Sequence, residues 1–138
     1  MSVTASRTKI SDVGGVAIPV SDQEKAVRFY VERLGFEVLL DVPTGEGGRW
    51  VQVAPPGGRV PIALVAAGEG GLVGVDTGIT FATSDAETDH ASLVWRGVDT
   101  DELLHWPGVP AMFVFRDQDG NQLKIMETVE TVETAEAV

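Results

Sequence analysis

The chain repeats itself, and that repeat restricts its fold more than any other feature. Residues 15–22 read GVAIPVSD and residues 78–85 read GITFATSD, an ungapped offset of 63. In each, apolar residues alternate with small ones (Val16, Ile18 and Val20; Ile79 and Phe81), the period of a half-buried strand. Each strand pattern runs into a Ser-x-x-Glu sequence, Ser21 with Glu24 and Ser84 with Glu87. Such a capping box opens a helix, because each side chain satisfies a backbone N–H that the first turn leaves without a partner. Helices are expected over about 22–34 and 85–96. The first buries Ala26, Phe29, Tyr30 and Leu34, the second Ala86, His90 and Leu93. Gly35 and Gly97 stand where a left-handed residue ends a helix.

The match continues past the helices. Pro55-Pro56-Gly57-Gly58 answers Asp117-Gln118-Asp119-Gly120 at an offset of 62, and Ile62-Ala63-Leu64 answers Leu123-Lys124-Ile125 at 61. Two more strands fit between helix and last strand in each half, at about 37–42 and 49–54, then at about 99–105 and 111–116. Asp101-Glu102-Leu103-Leu104 also fits a helical turn. The order is β-α-β-β-β twice: an α+β fold of two tandem βαβββ modules forming curved mixed sheets around a cleft. The domain covers residues 1–127, with module one at about 10–67 and module two at about 75–127, joined by a glycine-rich linker over 68–74. Residues 128–138 offer three glutamates and little large apolar surface, and are expected to form an acidic disordered tail.

A length of 138 residues fits one domain. The absence of cysteine excludes disulfides, thiolate metal sites and thiol nucleophiles. Ten basic against 21 acidic residues give a net charge of −11, which repels nucleic acid and anionic membrane surfaces and attracts cations. No run approaches the roughly 20 apolar residues of a membrane span, and MSVTASRTKISDVGG lacks the apolar core of a secretion signal. The expectation is a cytoplasmic protein with a small-molecule partner and with neither nucleic acid nor membrane as one.

The stretch IPVSDQEKAVRFYVERLGFEV closely resembles the first strand and helix of vicinal oxygen chelate proteins. FVFRDQDGNQLKIME resembles their closing hairpin, with Gln118 where proline is usual. Together with the repeat, the resemblance spans about residues 10–127. That superfamily includes glyoxalases, bleomycin-resistance proteins and extradiol dioxygenases. In its metal-dependent members the cleft holds one divalent ion, bound by His or Gln early and Glu late in each repeat. Carried over, those positions fall on Gly15, Ala63, Gly78 and Lys124. Glycine and alanine have no donor atom, and a protonated lysine has no lone pair. The chain's two histidines do not lie near them: His90 reads as a hydrogen-bonded residue of the helix stripe, and His105 sits in a loop. The resemblance thus implies no cofactor; the alternative is one divalent metal ion in an atypical site. Asp117–Asn121 lacks the twelfth-position glutamate of a calcium loop and reads as a hairpin turn. Gly45, Gly47 and Gly48 lack the Lys-Ser/Thr of a phosphate loop.

Strand alternation turns Ala63, Lys124 and Met126 toward the cleft with Gly15 and Gly78, and places Ala17, Thr80 and Gln122 on the same faces. Trp50 and Gln52 on the third strand, and Met112 and Val114 on the seventh, turn the same way. His105 and Trp106 lie in a loop that borders the cleft in the resembling family. These eleven residues are the candidate ligand contacts: Gly15, Trp50, Gln52, Ala63, Gly78, His105, Trp106, Met112, Val114, Lys124 and Met126. No residue is assigned to catalysis, so whether the chain is an enzyme stays open. One reading is a metal-free binding protein for an antibiotic-like, aromatic or cationic compound, as in the bleomycin-resistance branch. The alternative is a divalent-metal-dependent lyase or dioxygenase. Lys124 reads either as a partner for an anionic ligand group or as a solvated or ion-paired charge. Trp95, off the buried helix stripe, and the family's pairing of modules point to a homodimer.

Overall fold

The computed structural model describes residues 7–128, and within them the expected element order appears twice. The first module contains β1 (Val16–Val20), α1 (Gln23–Arg28) continuing into a π-helical turn (Phe29–Arg33), β2 (Glu37–Gly45), β3 (Gly48–Ala54) and β4 (Ile62–Ala66). The second contains β5 (Asp76–Thr83), α2 (Ala86–Trp95), β6 (Asp99–Thr100), β7 (Met112–Arg116) and β8 (Gln122–Glu127). Each module makes a four-stranded mixed sheet, ordered β1-β4-β3-β2 and β5-β8-β7-β6. The first and last strands of each module pair in parallel, Val16 with Ile62 through Val20 with Ala66, and Thr80 with Lys124 through Thr83 with Glu127. A parallel pair needs a long crossover, which the helix and the intervening hairpin supply. Of the acidic tail expected over 128–138, residues 129–138 lie outside the described residues, and Thr128 donates its N–H to Thr83 O at 2.8 Å.

The helices start one residue later than the Ser-x-x-Glu frame predicts. Asp22 and Asp85 are the N-caps, their carboxylates accepting the N–H groups of Lys25 and Thr88 at 3.1 Å each. Asp caps as well as Ser does, so a tertiary partner decides the frame. Ser21 is engaged by Asp119 of the other module, giving its N–H to Oδ2 at 2.9 Å and its hydroxyl to Oδ1 at 2.6 Å. Both helices do end on left-handed glycines, Gly35 at φ 79° and Gly97 at φ 80°. The first is not regular throughout: Leu34 N–H reaches back five residues to Phe29 O, and Phe36 N–H reaches six to Tyr30 O. Nothing in the sequence marks that wider turn.

Two strands differ in length from expectation. β2 runs on to Gly45 and closes on Gly48 through Glu46 (φ 52°) and Gly47 (φ 80°), a pair of left-handed residues whose twist suits a two-residue hairpin. β6 stops at Thr100 instead of reaching 105. The Asp101 carboxylate turns to Arg116 at 2.9 and 3.1 Å and its carbonyl is bonded by His90 Nε2 at 2.8 Å, while its N–H still donates to Val114 O at 2.8 Å. Residues 101–104 are not a helical turn either, and after the Asp101 N–H bond the chain meets the sheet again at Leu104, which bridges Met112. His90, edge-on to Phe113 with centroids 4.9 Å apart, is the hydrogen-bonded helix residue expected.

The modules share one core. Ile18, Val20, Val51, Val53, Ile62 and Leu64 cluster with Phe113, Phe115, Leu123 and Ile125. An aromatic path from Phe29 through Tyr30, Phe36, Phe81 and Phe115 to Phe113 crosses between modules, with successive centroids 5.3 to 6.5 Å apart. Polar groups pin the seam. The Tyr30 hydroxyl donates to buried Asp117 at 2.7 Å. At the ends of the two helices, Arg33 and Arg96 (63 residues apart) each donate to the other's backbone carbonyl.

Candidate functional site

Because side chains alternate, each sheet buries one face beneath its helix and leaves the other open. On the first sheet the register aligns Ala17, Ala63, Gln52 and Leu40 in one row, with Trp50 opposite Val42 in the next. On the second, Thr80, Lys124 and Val114 form one row and Ala82, Met126 and Met112 another. Trp50, Gln52, Met112, Val114, Lys124 and Met126 thus share the rows of the open faces, as does Ala63 by register, although Ala63 is buried at 4 % exposure. Leu40 and Val42 were missed, because a register shift between Val38 and Leu40 breaks the period of β2. Every residue of β2 is exposed, and Trp50 is 40 % exposed.

The structure gathers some of these residues and separates others. Gly78, Thr80, Val114, Gln122 and Lys124 line a cavity of about 260 Å³ on the second sheet. Gly78 also borders a larger one, about 590 Å³, between β1 and β5, where Ala17 and Phe81 meet the loop carrying Arg59 and Val60. Trp50, His105 and Trp106 line neither. His105 and Trp106 are exposed on the loop before β7, Trp106 at 53 %, and Gly15 is exposed just ahead of β1.

Ion pairs order the outer edges of both sheets. Arg49 on β3 forks onto Asp41 at 2.8 and 3.0 Å and reaches Glu24 at 3.1 Å; Arg116 on β7 forks onto Asp101. The guanidinium hydrogen bonds hold both Asp41 and Asp101 below the usual carboxylate range. These pairs keep the strands in register and leave the charge of Lys124 without a carboxylate within 4.0 Å among the described residues.

The divalent ion that metal-dependent members of the resembling family hold does not fit this donor set. The side chains of Gly15 and Ala63 offer no lone pair, and Lys124 brings a positive charge to the row of Thr80 and Val114. Gly78 adopts φ +72° within an irregularity of β5, where Thr77 Oγ1 donates to Gln122 O at 2.7 Å and Gly78 N–H bonds Asp76 Oδ1 at 3.1 Å. A histidine there would face open space but a strained backbone. Among the described residues no three His, Asp or Glu side chains are placed to share a metal ion.

The model of the family described as glyoxalase/bleomycin resistance protein/dioxygenase superfamily matches residues 13–125. A protein of Bacillus subtilis strain 168, the uncharacterized YetH, is 30 % identical over 123 residues, which is 86 % of this chain and 99 % of that protein. Among solved structures, TnmS3 from Streptomyces sp. CB03234, described as an antibiotic binding protein, is 39 % identical with a TM-score of 0.78. It covers 89 % of this chain and 100 % of its own. A superfamily member from Sphaerobacter thermophilus DSM 20745 is 36 % identical with a TM-score of 0.81, covering 88 % of this chain and 100 % of its own.

Proposed function

This chain belongs to the glyoxalase/bleomycin resistance protein/dioxygenase superfamily, and from that premise we propose that it is a cytoplasmic binding protein that takes an antibiotic-like aromatic compound without the help of a metal. The observation that carries the reading is the pair of open sheet faces. Where metal-dependent relatives place their ligand side chains, this protein has Gly15, Ala63, Gly78 and Lys124. The open faces carry groups suited to a planar ring: Trp50, Val42 and Leu40 on one sheet, Met112, Met126 and the Lys124 stem on the other. The likeness to an antibiotic binding protein at 39 % identity supports the same assignment.

A second copy of the chain completes the site. Val38, Leu39, Leu40, Val42 and Trp50 are each 40–49 % exposed on neighbouring strands, a set of exposed apolar groups that a second copy would cover. Covering that patch with a second copy would turn open faces into pockets walled on two sides. The net charge of −11 favours cationic ligands at long range, and Lys124 opposes them locally.

A ring of about 200 Å² buried at roughly 25 cal/mol per Å² gives about 5 kcal/mol before association costs, so micromolar binding needs a few good polar contacts as well. The test is a tryptophan-quenching screen of cationic, neutral and anionic aromatic antibiotics, repeated with Trp50→Phe and Lys124→Glu. Hits should weaken with Trp50→Phe, and Lys124→Glu should tighten cationic hits and loosen anionic ones by about tenfold or less. A panel without a saturating compound, or hits indifferent to both substitutions, would refute the reading. One transition-metal ion per chain in elemental analysis of the purified protein would also refute it.

A further inference from the structure

The end strands of the two sheets meet at a cavity without pairing. β1 bonds only β4 and β5 bonds only β8, so each leaves one edge open. The cavity of about 590 Å³ between them is lined by Val16 and Ala17 of β1 and by residues 77–82 of β5 without a gap. Consecutive strand residues point to opposite faces, so a lining that includes all of them follows the edge of the strand. The two edges differ in what they offer. In a parallel pair, alternate residues bond the neighbouring strand and those between them face away. Val16 N–H donates to Pro61 O at 3.1 Å and Val20 O accepts Ala67 N–H at 2.9 Å, so Ala17 and Pro19 face away from β4. Pro19 has no N–H, and its carbonyl accepts Asn121 Nδ2 at 2.9 Å, which leaves Ala17 alone on that edge. On β5, Thr83 O accepts Thr128 N–H at 2.8 Å, so Thr80 and Ala82 face away from β8. Both are exposed, and among the described residues no backbone bond reaches them from outside the ladder with β8.

The walls and the charge of the cavity restrict what can pair there. Val16, Val60, Ile62 and Phe81 make the walls apolar. Arg59 is the only charged residue of the lining, and among the described residues it has no carboxylate within 4.0 Å. Asp76, the acid beside this stretch of β5, lines the other cavity of the second sheet and turns Oδ1 to Gly78 N–H at 3.1 Å. The cavity thus combines an open strand edge, apolar walls and a single cation with no acid in the lining. Its volume lies within the roughly 300–1,000 Å³ usual for small-ligand sites.

We propose that this cavity takes the C-terminal end of an extended apolar peptide, which adds as a strand to the free edge of β5. The N–H and C=O groups of Thr80 and Ala82 pair with its amides, and a stretch of about three residues spans both. The apolar walls take its side chains, and Arg59 takes its terminal carboxylate. This site goes beyond the ring binding assigned to the open faces and does not rest on it, since Trp50, Met112, Met126 and Lys124 line no part of this cavity.

The full chain would be titrated with acetyl-Val-Ala-Val-Ala as the free acid, with its C-terminal amide, with the acid fully N-methylated, and with octanoate. Backbone amide NMR shifts and hydrogen exchange at Thr80 and Ala82 report the edge. The free acid should saturate below about 1 mM and slow exchange at both residues. Its C-terminal amide should bind about tenfold more weakly. The N-methylated acid, which cannot donate to a ladder, should not saturate, and octanoate should bind more weakly than the peptide. Arg59→Gln should bring the acid down to the affinity of the amide with thermal unfolding unchanged. Trp50→Phe, which probes the ring-binding reading, should leave the peptide unaffected; a loss there would put the peptide on the open face and overturn the proposal. So would shifts that never saturate, unchanged exchange at Thr80 and Ala82, or indifference to Arg59→Gln. Octanoate or the N-methylated acid binding as tightly as the peptide would likewise overturn it.

Discussion

Replacing Asn121 with alanine tests how the modules are joined. The side chain is fully buried and its amide serves three segments at once. Nδ2 donates to Pro19 O in β1 at 2.9 Å and to Asp117 Oδ2 at 3.0 Å. Oδ1 accepts the N–H groups of Gly74 and Val75, at the end of the linker, at 2.8 and 2.9 Å. Asn121→Ala deletes all four bonds. Asp117 keeps Tyr30 and two backbone donors, but the Pro19 carbonyl and both linker amides lose this partner. At roughly 1 kcal/mol net per bond, the loss is about 3–4 kcal/mol, a size met when a buried polar network is broken. For a domain of this length that corresponds to a fall in Tm of about 10–15 °C. Urea denaturation followed by circular dichroism should show a lower midpoint at unchanged slope, and calorimetry should agree. A loss below about 1 kcal/mol would mean that water replaces the amide without cost, and the staple argument would fail. Asn121→Asp refines the test, since it keeps the acceptor but sets a second carboxylate against Asp117. Burial and like charge would raise the new group's folded pKa above its unfolded value. Its penalty should therefore be small at acid pH and grow as pH rises through about 4 and beyond.

Three more outcomes follow from the same seam and surfaces. Burial disfavours the Asp119 carboxylate charge, but hydrogen bonds from Ser21 and Gln118, with Lys25 nearby, outweigh it and hold the group below its ordinary range. Its contribution is present above about pH 4 and lost as pH falls through the folded value, so Ser21→Ala should flatten the acid limb of a urea-midpoint profile; an unchanged limb would refute the link. Tyr30, the chain's single tyrosine, is pushed far above the usual phenol range, first by burial and then by the Asp117 charge. Unfolded chains ionise near pH 10 while the folded one does not, so stability should fall above that pH, and tyrosinate absorbance should rise only together with loss of structure. Leu40→Asp should convert a dimer to a monomer in sedimentation; a dimer that survives Leu40→Asp and is lost in Trp95→Ser, at a site 87 % exposed, would move the interface to α2.

The sequence by itself determined what depends on a few neighbouring residues. The repeat at an offset of 63 specified two βαβββ units, strand alternation sorted Lys124 from Leu123 and Ile125, and Gly35 and Gly97 marked helix ends. These features follow from backbone geometry, which a short stretch of chain carries within itself. Tertiary structure decided what depends on partners far along the chain. Asp22 rather than Ser21 caps α1 because Asp119, 98 residues away from Ser21, claims the serine. β6 ends at Thr100 because Arg116 and His90 hold Asp101. The π turn that coincides with Phe29 and Tyr30 and the register shift that brings Leu40 beside Gln52 have no signature in local pattern. Each arises when two modules bury a common core, and the free energy of that burial selects among local alternatives that are nearly equal on their own.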